Sequence, residues 1–179
     1  MLTLFKKKTQ ETKIIDSVVI SEAAKLQAML IQWEKDKNIA FLFWFDDSLR
    51  SAESFFAAQT IEPVCLLSTK NAGTATIGDK LVVFAEHYPL YTKEEELYQK
   101  LNLRSVQVYS ALNEPLLLRF GGEKIGQLMG KLGLQEDAVI EHKMISRSIR
   151  DMQDKMEKKI VIDQLATSQA DWLQKNYID

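Results

Sequence analysis

The stretch that decides the fold is Ile39-Ala40-Phe41-Leu42-Phe43-Trp44-Phe45, followed at once by Asp46-Asp47-Ser48. Seven apolar residues in a row, bounded by polar ones, read as a strand covered on both faces. Asp46, Asp47 and Ser48 then offer caps for a helix over residues 46–59. Its inward face is Leu49, Ala52, Phe55 and Phe56. Working outward, residues 63–67 (PVCLL) and 80–84 (KLVVF) read as two more buried strands. Residues 70–79 between them have loop composition. Residues 105–111 (SVQVYSA) alternate and read as a fourth strand. On the N-terminal side, Leu26, Met29, Leu30 and Trp33 recur at helical spacing behind Ser21, a plausible N-cap. Before them, the β-branched run from Ile14 to Ile20 is a strand or a packed lead-in.

The C-terminal half is more helical. Thr92 is placed to cap the acidic start Lys93-Glu94-Glu95-Glu96, whose carboxylates suit the positive end of a helix dipole. Asn113 is placed to cap a short helix with Pro115 in its first turn. Gly121 and Gly122 break that helix. Ile125, Leu128, Met129 and Leu132 mark the next one, with Gly133 as its stop. From about residue 141 a long helix is expected, because Ile145, Ile149, Met152, Met156 and Ile160 keep a 3-to-4 spacing. Strands alternating with helices predict an α/β fold, a mostly parallel sheet of four to five strands flanked by helices, with a long C-terminal helix. The Met and Ile stripe is expected to pack on its own domain.

Composition excludes more than it assigns. The chain has 179 residues and a net charge of −2, which argues against a nucleic-acid partner. One cysteine leaves no disulfide framework, and Cys65 reads as a buried structural thiol. With two histidines, no metal site is expected and no cofactor is predicted. Residues 1–13 read as a flexible basic terminus, in which Lys6, Lys7 and Lys8 follow rather than precede an apolar patch. That order is wrong for a secretory signal, and no run approaches the length of a spanning helix. A cytoplasmic protein without stable membrane insertion is expected.

The candidate site residues each carry a plain structural alternative. Asp46 and Asp47 end a strand, where α/β proteins place functional groups, and could hold Mg²⁺ or act as an acid/base pair. Capping is the favoured reading, because Asp-Asp-Ser before a helix needs no further reason. Glu86 and His87 follow another strand end, but no nucleophile or orienting partner lies close by in sequence. Arg119, Gly121, Gly122 and Lys124 put free amides and two cations at a helix start, which suits an anion. Two glycines at a helix junction also solve a backbone problem. Residues 73–80 (GTATIGDK) approximate a phosphate loop, but Asp79 stands where the lysine is needed. Trp172, Leu173 and Tyr177 are a candidate partner surface.

Residues 108–125 (VYSALNEPLLLRFGGEKI) resemble a stretch of the SecA preprotein translocase ATPases that reads roughly FYLSLEDDLMRLFGSERI. Residues 140–149 (IEHKMISRSI) are similar to that family's IEHKMVTKSI, and residues 151–158 resemble the start of its scaffold helix. Residues 18–71 are similar, more loosely, to the first half of its second motor domain. The resemblance covers about residues 14–160. It implies a RecA-like second motor domain over residues 14–135 and a scaffold-like helix over residues 136–179. It also shows what differs. After Ala85 the family has NMAGRGTD, whereas this chain has Glu86-His87-Tyr88-Pro89. An acidic helix around Glu94-Glu95-Glu96 replaces the arginine-finger segment, and nothing here resembles the first motor domain with its phosphate loop. Those arginines stabilise transferred phosphoryl charge. The expectation is therefore a degenerate, non-catalytic domain, not an enzyme, serving as a protein-interaction or regulatory module in protein export. Its partner would be SecA or another translocase component, or a second copy through the C-terminal helix. The alternative is a small enzyme or nucleotide sensor built on Asp46, Asp47, Glu86 and His87.

Overall fold

A computed structural model describes residues 11–119, 121–131, 135 and 138–177. The expectations for residues 1–10, for Leu132 and Gly133, and for the side chains of Lys124, Ile125, Leu128 and Met129 lie outside the described residues. Five strands form one sheet: β1 (Lys13–Val19), β2 (Ile39–Phe43), β3 (Cys65–Ser68), β4 (Leu81–Phe84) and β5 (Ser105–Ala111). All pair in parallel, in the order β1-β5-β4-β2-β3. Residues 39–43 of the apolar run form the buried strand β2, flanked by β3 and β4 and wholly covered; Trp44 lies beyond it and Phe45 is the N-cap of α2. The architecture is the expected α/β fold, consistent with a RecA-like sheet.

Helix placement follows from right-handed crossovers. α1 (Glu22–Lys35) carries the chain from β1 across to β2, and α2 (Asp46–Gln59) carries it on to β3. The chain then turns back through β4 and β5. Reversing direction with the same handedness moves the connections to the other face. There lie α3 (Thr74–Ile77) and α4 (Tyr91–Lys100). On the first face, Met29 and Trp33 of α1 and Phe56 of α2 pack against Phe41, Phe43 and Val83. On the second, Leu97 and Tyr98 of α4 pack against Leu42, Phe84 and Val108. Alternate residues of β2 thus feed two cores, which is why its sequence is apolar at every position.

A third apolar cluster sits over the carboxyl ends of the strands. α5 (Pro115–Arg119), α6 (Gly122–Lys131), α7 (Lys143–Glu157) and α8 (Gln169–Asn176) follow β5. Ile149, Met152 and Met156 of α7 and Trp172 of α8 meet Val18, Phe45 and Tyr88 there. Ile140 also bridges Val18 on the outer edge of β1, with N···O distances of 2.9 and 2.8 Å, which covers that edge.

Several local expectations change. The C-terminal segment holds two helices instead of one long one. The buried stripe of α7 runs out at Met156, and Ser168 then starts α8 by accepting from the amide of Asp171 at 3.1 Å. Residues 70–79 are not plain loop. A 3-10 turn (Thr69–Asn71) and the single-turn α3 pass over β2 and place β4 on its far side. β3 is an edge strand, so Cys65, Leu66 and Leu67 are half-buried instead of covered on both faces. Thr92 does not cap α4, whose N-cap is Leu90; the Thr92 amide donates to Glu157. Asn113 serves α1 rather than α5, accepting from the amide of Glu22 at 2.9 Å. The glycine pair does resolve a backbone constraint. Gly121 has φ +99°, and a Cβ on Gly122 would lie 2.6 Å from the carbonyl oxygen of Leu112.

Candidate functional site

In an open α/β sheet the ligand crevice lies at the carboxyl edge, where neighbouring strands send their helices to opposite faces. Here that point falls between β2, followed by α2 on one face, and β4, followed by α4 on the other. Glu86, two residues beyond β4, fills it. Its Oε1 accepts from the amides of Trp44 and Phe45, both at 3.0 Å, and from Ser48 Oγ at 2.5 Å. Phe45 is the N-cap of α2 and has no capping side chain of its own. Glu86 therefore brings its carboxylate to the helix start, where a bound anion would otherwise sit.

Beside it, Lys25 of α1 pairs with Glu114 at the start of α5, and Gln169 of α8 donates to the other Glu114 oxygen at 3.3 Å. Burial pushes the Glu86 carboxyl up, Lys25 and Ser48 hold it back, and it settles at about 7. For Lys25, burial works against the ammonium, but Glu114 and then Glu86 outweigh it and raise its pKa. These groups line a cavity of about 230 Å³.

His87 points into a different cluster, against β1, α4 and α7. Its Nδ1 lies 2.9 Å from Glu94 Oε1 and its Nε2 lies 2.8 Å from Asp16 Oδ1. Glu94 also accepts from the amide of Tyr88 at 2.7 Å and from Gln153 Nε2 at 2.9 Å. All four side chains are buried. Burial disfavours the imidazolium, but the Glu94 and Asp16 carboxylates prevail and hold His87 well above the usual histidine range. Asp16 in turn is lowered: burial opposes its ionisation, and His87 more than offsets that. The arrangement is an internal ion cluster with both ring nitrogens committed.

The four strand-end residues singled out in the sequence do not all converge: only Asp47 and Glu86 line one cavity. Glu86 and His87 belong to separate clusters. Asp46 pairs with Lys70 at 3.0 Å, and Asp47 pairs with Arg50 at the rim of the cavity that Glu86 lines. They occupy the first turn of α2, where carboxylates suit the dipole, without being its N-cap. Arg119 stacks over Tyr177, with its guanidinium 5.1 Å from the ring centroid. Trp172 and Leu173 are no exposed docking surface. They are buried, and Trp172 Nε1 donates to Asp163 at 2.7 Å and to Tyr88 Oη at 3.2 Å. Tyr177 is half-buried beneath Arg119 and Lys159.

Sequence reasoning missed Lys25, Glu114 and Gln169 in the first cluster and Asp16, Glu94 and Gln153 in the second. Asp16 carried a signal, as a lone charge inside a β-branched strand. Such a residue is stable there only with a partner. Among the described residues, no helix is long and apolar enough to cross a membrane.

No family model matches the chain. Among curated proteins it is similar to the protein translocase subunit SecA of Syntrophus aciditrophicus, 43% identical over 56 residues, which are 31% of this chain and 7% of that protein. The SecA of Christiangramia forsetii is 46% identical over 54 residues, 30% of this chain and 5% of that protein. The SecA 1 of Alkaliphilus metalliredigens is 43% identical over 53 residues, 30% of this chain and 6% of that protein. The similarity thus spans less than a tenth of the length of these relatives.

Proposed function

We propose that the chain is a SecA-like domain tied to protein translocation, acting as a non-catalytic interaction or regulatory module. The observation that carries the translocation part is the 43–46% identity to translocase subunits over about 30% of the chain. The non-catalytic part draws its support from the carboxyl edge of the sheet. The crevice that would admit a nucleotide phosphate is filled by the chain's own Glu86, and His87 is spent on an internal cluster. A preserved fold with its site groups redirected inward keeps the architecture but not the chemistry. The alternative of a small enzyme or nucleotide sensor draws on Glu86, whose carboxyl sits near neutrality as an acid/base group requires. It would use Glu86 with Lys25 and, at the rim of the same cavity, Asp47, since Asp46 and His87 lie elsewhere.

The partner in this reading is SecA or another translocase component. An assembly of two copies through the C-terminal helices is less favoured, because Ile149, Met152, Met156 and Trp172 are used inside the domain. The test is affinity capture of the tagged chain from its native extract, followed by direct titration of whichever translocase component is recovered. Recovery with a saturable, 1:1 interaction is the expected result. Capture without any translocase component contradicts the proposal.

A further inference from the structure

We propose that the cavity walled by α1, α2, α5 and α8 binds a small organic cation, an ammonium or guanidinium group on a short apolar stem, with Glu86 Oε2 as its counter-ion. The first observation is the shape and lining of the cavity. Its volume is about 230 Å³, room for a few heavy atoms beyond water, and Leu26, Phe43, Phe45 and Pro115 supply an apolar wall. The second is the orientation of Glu86. The side chain is buried, yet all three of its hydrogen bonds go to Oε1, and none goes to Oε2. Glu86 lines the cavity, so its second oxygen is an acceptor open to an incoming donor.

The third observation is charge. Glu22 and Lys25 face the cavity from α1, Asp47 and Ser48 from α2, Glu114 from the start of α5, and Gln169 from α8. Lys25 is already paired with Glu114, and Asp47 with Arg50 at the rim. Among the described residues that leaves Glu22 and Glu86 as carboxylates without a paired cation in the cavity, so its field selects against anions. The near-neutral resting value of Glu86 agrees with this picture: Lys25 lowers it only in part, and a second cation would complete the ionisation. Binding should therefore release a proton near pH 7, with affinity rising about tenfold from pH 6 to pH 8 as the carboxylate fraction rises.

The test is calorimetric titration of the full chain with n-butylamine and agmatine, using n-butanol and butyrate as neutral and anionic partners of matched size. A capped Ala-Ala-Lys-Ala-Ala peptide separates a side-chain ammonium from a free one. Saturable one-site binding of an amine is expected, with proton release read from buffers of different ionisation heat. Glu86→Gln should weaken it at least tenfold and abolish the proton release. If that variant fails to fold, Ser51→Phe, on the exposed rim of the cavity, should block binding without touching its floor. Asp46→Ala, outside the cavity, should bind as the parent does. Peptide binding as tight as that of the amine would assign the source to a protein side chain, and binding of the amine alone would assign it to a free small molecule. No saturable amine binding, equal binding of butanol or butyrate, or full retention in both Glu86→Gln and Ser51→Phe would overturn the proposal.

Discussion

Replacing His87 with alanine is expected to cost about 3–5 kcal/mol of stability at pH 6, the loss that follows when one member of a buried ion cluster is removed. The imidazolium lies between the buried carboxylates of Asp16 and Glu94, one at each ring nitrogen. Without it, two buried carboxylates face a vacated space, and Gln153 cannot neutralise either. The same cluster fixes a pH dependence. Unfolded His87 titrates near 6.5, and in the fold its value is raised well above that. Below pH 6.5 both states hold the proton and the stabilisation is complete. As pH rises above 6.5 the folded state binds more protons than the unfolded one, so stability falls until the folded value is passed.

Glu86 adds a fall of the same sign at lower pH. Its folded value is about 7 against an ordinary 4.5, so its protonated form is favoured by folding and stability drops as pH rises between them. Asp16 acts oppositely in acid: its stabilisation is present above 3.8 and is lost as pH falls through its lowered value. Urea unfolding should therefore show greater stability near pH 5 than near pH 8. In His87→Ala the decline above pH 7 should vanish. In Glu86→Gln the decline between 4.5 and 6.5 should vanish while the upper one persists. A parent protein more stable at pH 8 than at pH 5 contradicts this electrostatic account.

Trp172→Ala is expected to cost a comparable amount, about 3–5 kcal/mol for truncating a fully buried tryptophan. The indole packs edge-on to Tyr88 with centroids 6.1 Å apart, and both hydroxyl and indole converge on Asp163. Truncation strips apolar contact from the cluster over the strand ends and leaves Asp163 with one donor fewer. Because α8 is short and docks through Trp172 and Leu173, the loss should be local before it is global. Hydrogen exchange should speed up across residues 169–176 and the facing turn after β4, while β1 and β5 stay protected. If Trp172 were an exposed partner anchor, the substitution would leave both the unfolding midpoint and the exchange pattern unchanged.

What the sequence made legible follows from how local each signal is. The strand at residues 39–43 was readable because burial on both faces writes itself into consecutive residues. The expected α/β order held for the same reason. Residues 69–77 misled because a 3-10 turn and a single helical turn have loop composition. α8 was obscured by reading the last apolar residues as the tail of one helix. Its start was signalled by Ser168 with Asp171 three residues on, a capping pair. The candidate site was legible only at Glu86 and His87, through their place after β4. Their partners come from distant segments on both sides in the chain, and nothing in composition separates Glu94, fully buried, from its neighbours Glu95 and Glu96. Spacing encodes the face of an element, not the element that will pack against it.

The central claim is that the crevice between β2 and β4 is filled from within and takes no nucleotide. Calorimetric titration of the full chain with ATP and ADP in the presence of Mg²⁺ tests it most directly. The account predicts no saturable heat up to millimolar nucleotide. Micromolar binding that disappears when Asp46 and Asp47 are changed to alanine would contradict it.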